Sequence, residues 1–205
     1  VGTYDLAVTI LEVLHTHPLA EEILESHRYR AHGDDEGFDA YKAHVYRVLN
    51  FARALSADAP GRDDKLAIAA AFHDLAAFDS LDYLVPSIVA QDAWLQRTGR
   101  AEWSDELAVV VAEHHRFTRY AAPRPHPELV EAMRRADLVD VSQGLIRFGL
   151  PGAFVKEVRG SFDAGVFFRR VIPAGAVRTV RTLQPLGFLR PGDALARSGH
   201  RGADR

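Results

Sequence analysis

DKLAIAAAFHDLAAF, residues 64–78, decides how this chain is read. Leu66, Ala69, Ala70 and His73 recur at helical spacing, so the stretch predicts a buried helix with a histidine on its apolar face. Asp74 follows directly, in mid-helix, where it cannot serve as a cap. Aspartate is rarely fully buried without a partner. A buried histidine beside an ionised carboxylate needs compensation. An arginine would neutralise the carboxylate; a divalent metal ion would satisfy both groups at once.

Similar polar groups stand on other apolar helical stretches. His44, in AYKAHVYRVLNFA, shares a face with Val48 and Leu55. His114-His115, in VVVAEHHRF, lie beside Leu107, Val110 and Val111. Asp137, in AMRRADLVD, follows Val130 and Met133, with Asp140 one turn away as a competitor. Singly, each has an ordinary explanation: a core histidine bonded to a carbonyl, or an aspartate paired with Arg134 or Arg135. Together, two histidines and two aspartates on inward faces form a natural ligand set for a divalent ion. Imidazole and carboxylate jointly suit Mn, Fe, Co, Ni or Zn. Four protein ligands leave room for substrate only in five- or six-coordinate geometry, which favours an octahedral-type ion over closed tetrahedral zinc.

The rest of the chain also reads as helical. Helices are expected over 4–15, 19–27, 38–55, from Pro86 to about Thr98 with a stop at Gly99, 106–117 with Ser104 as N-cap, 128–141, 151–159, 164–172 and 174–183. No stretch shows convincing strand alternation. From Pro185 onward, Gly, Pro and Arg dominate, and a loosely packed tail is expected. The fold class is therefore all-α: one helical-bundle domain over 1–184, with its metal-site core at 38–141, and a tail at 185–205. A hydrophobic content of 47% in 205 residues is enough for a real core. The net charge of −3 supplies no global basic field for a nucleic-acid polymer. With no cysteine, disulfides, thiolate metal sites and cysteine nucleophiles are excluded. No apolar run reaches membrane-spanning length. The opening VGTYDLAV has no basic signal-type region, so a cytoplasmic setting is expected.

Read in order, the polar groups spell H…HD…HH…D. This pattern resembles the HD-domain superfamily, all-α metal-dependent phosphohydrolases, over roughly Phe38 to Val141. The stretches from His-Asp to Pro-Ser and from DLVD to FGLP are also similar to a group of small HD-domain proteins. The resemblance implies that His44, His73, Asp74 and Asp137 hold one divalent ion (Mn, Fe, Co, Ni or Zn), the "AD" step favouring Asp137 over Asp140. In binuclear members, histidines of the HH region help hold a second metal, bridged by the HD aspartate. Such members usually carry another histidine between the two doublets. Here none lies between His73 and His114, leaving Asp79, Asp82 or Glu113 as substitutes.

The expected activity is hydrolysis of a nucleotide or small phosphate ester through a metal-activated water. Asp74 would orient that water, and His114 or His115 would serve as general acid. Arg47, Tyr83, Ser87 and Arg116 are expected to contact substrate, with the 79–87 loop crossing the mouth of the site. Gln143 and Arg147 are further candidates. The partner is a small molecule, with no nucleic-acid polymer or membrane; a second metal and a homodimer are left open. Competing readings on the same scaffold are a di-iron oxygenase, a small-molecule hydratase, and a non-catalytic metal-binding signalling module.

Overall fold

The computed structural model describes residues 11–28, 35–77 and 82–163. Among them are seven α-helices and no strand: α1 (Pro18–Ser26), α2 (Asp35–Leu55), α3 (Arg62–Phe72), α4 (Leu84–Arg97), α5 (Ser104–Glu113), α6 (Pro127–Val141) and α7 (Gly152–Ser161). A short 3-10 turn, Ala101–Trp103, precedes α5. The all-α class expected from the sequence is what the described residues adopt.

The helix that leads into the His-Asp doublet is the centre of the bundle. α3 touches α1, α2, α4, α5 and α6. Every residue from Leu66 to Phe72 is fully buried. A helix that is apolar all round belongs in a core, and alanines at 67, 69, 70 and 71 let its neighbours approach closely. Gly61, at φ +70°, supplies the left-handed residue that turns the chain into α3. Asp63 and Asp64 then stand in the first turn, where the helix dipole favours negative charge. α2 and α6 form the main helical pair beside it. No helix of the described residues is long and apolar enough to cross a membrane.

Four local expectations are corrected. The helix expected over 64–78 ends at Phe72, and His73 to Ala77 continue as tight turns, with Leu75 N–H on the Phe72 carbonyl and Ala77 N–H on the Asp74 carbonyl. The helix expected over 106–117 likewise ends at Glu113, so both doublets lie just past helix ends. Ser104 is not an N-cap: Trp103 holds that position, and the Ser104 hydroxyl caps nothing. Residues 11–17 are not helical. Their backbone bonds go elsewhere: Asn50 of α2 accepts the Leu14 N–H (2.7 Å) and donates to its carbonyl (2.9 Å), and the Tyr46 hydroxyl accepts the His17 N–H. The helices expected over 164–172 and 174–183 and the tail from Pro185 lie outside the described residues, as does the start of the 4–15 helix.

Candidate metal centre

Two pairs of residues, each three apart on one helix, face each other across the bundle. α2 contributes His44 and Arg47; α6 contributes Asp137 and Asp140. Asp140, fully buried, accepts the His44 Nδ1–H through Oδ2 at 2.7 Å. It also accepts Arg47 through both oxygens, Nε–Oδ1 at 2.6 Å and Nη2–Oδ2 at 3.0 Å. Burial pushes the Asp140 carboxyl up, but His44 and Arg47 outweigh it and hold it below the usual carboxylate range. The Arg47 guanidinium is thus buried behind His44, with Nη1 on the Phe162 carbonyl. It was expected at the substrate; it instead secures the residue that aims His44.

Helix α3 presents His73 at its C-terminal cap. The ring's Nδ1 lies 2.7 Å from the Ala70 carbonyl, and since a carbonyl only accepts, Nδ1 must carry the proton. His114 repeats the device at the end of α5, with Nδ1 2.6 Å from the Val111 carbonyl. His115 Nδ1 faces Asp137 Oδ2 at 3.2 Å. The Nε2 atoms of His44, His73 and His114 therefore turn toward a common interior, in the tautomer that a metal ligand requires.

His44 Nε2 and His73 Nε2 stand 2.9 Å apart. Burial, working against the pull of Asp74, lowers the His73 pKa to about 4, so its Nε2 is a bare lone pair. Two imidazoles that spend their protons on Nδ1 would here set lone pair against lone pair. Two nitrogens held at about 2.0–2.1 Å from one ion at a right angle lie about 3 Å apart. Asp74 Oδ2 is 3.6 Å from His73 Nε2 and 3.8 Å from His44 Nε2. Asp137 Oδ1 is 3.8 Å from His44 Nε2 and 4.0 Å from His73 Nε2. Asp74 Oδ1 and Asp137 Oδ1 are buried without a hydrogen-bond partner. No lysine or arginine of the described residues pairs with either carboxylate: Arg134 and Arg135 both go to Glu131. Two carboxylates, each with one oxygen left unbonded, beside opposed lone pairs fit a divalent cation in charge and in donor type. The groups able to hold one fall into three overlapping trios: His44, His73 and Asp137; His73, Asp74 and His114; His114, His115 and Asp137.

His114 and His115 form the other half of the cluster, their Nε2 atoms 2.9 Å apart and 3.3 and 3.5 Å from Asp74 Oδ1. At His115 burial opposes charge, but the hydrogen bond to Asp137 and the negative field of Asp74 and Asp137 prevail and raise its pKa to about 10. A protonated His115 can donate from Nε2 to the bare Nε2 of His114. Burial raises the Asp74 carboxyl, but His73, then His114 and His115, outweigh it and keep it ionised, well below the usual range.

The cluster's outer edge is formed by His115, whose side chain is 14% exposed, and by Tyr83, whose hydroxyl contacts His115 Nε2. The Tyr83 hydroxyl, a candidate substrate contact, lies at this edge. Ser87 does not: it is fully buried, and its Oγ accepts the Ala76 N–H, pinning the turn after the doublet to α4. The guanidinium of Arg116 is taken by Glu113 at 2.9 Å. Glu113 and Asp82 join none of the three trios. Asp79 lies outside the described residues. Gln143 and Arg147 line a separate hollow that includes no residue of the cluster. The role of Asp140 behind His44 is the functional position that sequence reading missed. The matched three-residue spacing of His44/Arg47 and Asp137/Asp140 was its one available signal.

An all-helical bundle with an internal His/Asp cluster of this order defines a class, and comparison with family models identifies it. The HD domain model matches residues 41–142, and the chain belongs to the HD-domain family. Members of this family bind divalent metals, and non-catalytic members exist beside the phosphohydrolases. No curated protein and no solved structure matches the chain.

Proposed function

We propose that the protein is a metal-dependent phosphohydrolase acting on a nucleotide or another small phosphate ester. The observation that carries this reading is the opposed Nε2 pair of His44 and His73, flanked by the unpartnered oxygens of Asp74 and Asp137. His44, His73, Asp74 and Asp137 would hold one divalent ion. Such an ion, when bound, acidifies a water and draws charge from a phosphoryl oxygen. The chain's own residues do the rest. Asp140 and the Ala70 carbonyl lock His44 and His73 in their binding tautomer. Asp74, with one oxygen toward His73 and the other toward His114, orients the attacking water. His115, at the open edge between Asp74 and Asp137, delivers a proton to the leaving-group oxygen, and Tyr83 positions it. His114 fixes His115 from behind.

A second reading has its own observation. Asp74 Oδ1 faces His114 and His115 as Asp74 Oδ2 faces His44 and His73, so the same carboxylate could serve two ions. That arrangement would favour oxygenase chemistry. Elemental analysis of untagged protein purified without added metal separates the two. About one Mn, Fe, Co, Ni or Zn per chain, with turnover in a phosphate-ester screen, is expected. Two irons per chain with oxygen consumption would replace the hydrolase reading. Replacing His114 and His115 together by alanine should abolish turnover and leave one ion bound; unchanged turnover would remove their role.

A further inference from the structure

Beyond Asp140, α6 ends in a loop that folds back onto α7 and encloses an open hollow of about 370 Å³. Arg147, Lys156 and Arg159 line it together with Gln143, and no carboxylate does. None of the three cationic side chains makes a hydrogen bond or ion pair with a described residue, whereas the buried Arg47 and Arg134 are each taken by a carboxylate. Like charges do not gather for their own sake in a chain whose net charge is −3.

The hollow is also built rather than incidental. Gly144, at φ +79°, lets the loop press onto α7: a Cβ there would lie 2.8 Å from Val155 Cγ1. Gly152 lets the Arg147 guanidinium lie across the start of α7, since a Cβ would stand 2.4 Å from its Nη1. The loop is anchored to α6 by the Gln143 N–H on the Asp140 carbonyl (2.8 Å) and the Gly144 N–H on the Val139 carbonyl (2.8 Å).

We infer that this hollow is a binding site for the oligophosphate group of a small soluble compound, separate from the metal centre. Two guanidiniums and an ammonium supply planar, forked donors and a point charge, the combination suited to phosphate oxygens. The volume lies within the range of about 300–1,000 Å³ for small-molecule sites. Val155 is the only apolar side chain in the lining, so recognition rests on the phosphates rather than on an attached organic group. This inference does not depend on the chain being a hydrolase.

The test is calorimetric titration of the full chain, stripped of metal by chelation, with inorganic tripolyphosphate and in parallel with a nucleoside triphosphate. Saturable binding of tripolyphosphate is expected. Comparable affinity for the nucleotide would locate recognition in the phosphates; binding of the nucleotide alone would overturn that assignment. Arg147→Gln with Arg159→Gln should weaken tripolyphosphate at least tenfold. Both positions are outside the core, and a matched thermal midpoint confirms folding. Asp137→Asn, in the metal centre, should leave the affinity within twofold. Wild-type affinity in the double variant, or loss of binding in Asp137→Asn, would overturn the site. Leu145, 88% exposed, and Ile146 stand in the same loop, so vesicles containing phosphatidylserine are the third arm. Vesicle binding with tripolyphosphate inert would reassign the patch to a membrane surface and refute the proposal.

Discussion

Asp140→Asn tests the architecture of the centre without touching a proposed ligand. Both carboxylate oxygens of Asp140 only accept: Oδ1 from Arg47 Nε, Oδ2 from His44 Nδ1 and Arg47 Nη2. An asparagine offers one oxygen and one NH2, and the NH2 must face one of these donors. An asparagine is neutral in either orientation, so the buried Arg47 guanidinium loses the charge of Asp140, and removing one partner of a buried ion pair costs about 3–5 kcal/mol. Turned toward His44, the NH2 forces the proton to Nε2 and removes the lone pair that faces His73. The first outcome appears as stability and the second as metal affinity; second-ligand-sphere substitutions typically weaken metal binding by about 10–100-fold. Thermal unfolding of the metal-free variant and titration against a competing chelator read the two separately. The expected result is a loss in at least one, with their sum never small. Asp137→Asn is the contrast: it should abolish tight binding while Arg47 keeps its partner. If Asp140→Asn matched wild type in both midpoint and metal affinity, the supporting role of Asp140 would be refuted.

Three further outcomes follow from the same geometry. A divalent ion that binds only the folded chain at a hundredfold excess over its Kd adds about 2.7 kcal/mol, so chelation should lower Tm by roughly 5–11 °C at about 2–4 °C per kcal/mol; a chelator-insensitive Tm in protein shown to contain metal would contradict the site. At Glu131, burial opposes charge, but Arg134, the Tyr120 N–H and Arg135 outweigh it and lower its pKa from 4.5 to about 2. Its folded pKa is depressed, so its contribution is complete above about pH 4.5 and is lost as pH falls toward 2; the Tm gap between wild type and Glu131→Gln should be flat from pH 7 to about 5 and close below that, and a gap that widens in acid would reverse the assignment. Asn50→Ala removes both partners of the Leu14 backbone and should cost about 1–3 kcal/mol, with faster amide exchange at Leu14 and His17; unchanged exchange there would show that the segment is held by packing alone.

How much of this was legible in the sequence depended on what kind of information each feature carries. Apolar spacing reports which residues are buried, and it did so well: α2, α4 and α6 fall close to their expected bounds, and His44, His73, Asp74 and Asp137 do converge. It does not report backbone conformation once burial continues past a helix end. Leu75 and Ala76 are buried like the helix before them, so nothing in DKLAIAAAFHDLAAF, neither glycine nor proline, marks the stop at Phe72. Yet that stop matters. His73 at the helix cap can give its Nδ1–H to a carbonyl one turn back, and Asp74 in the following turn can direct its two oxygens to different histidines. The same blindness explains residues 11–17, whose apolar pattern is real but whose hydrogen bonds are completed by Asn50 and Tyr46, far away in the chain. Arg47 was placed at the substrate because one chain shows only its neighbours. Its partner Asp140 is 93 residues distant. Helical spacing could show that His44 and Arg47 share a face, as do Asp137 and Asp140. That the two faces meet, with one pair supplying ligands and the other holding them in place, is a property of the packed bundle alone.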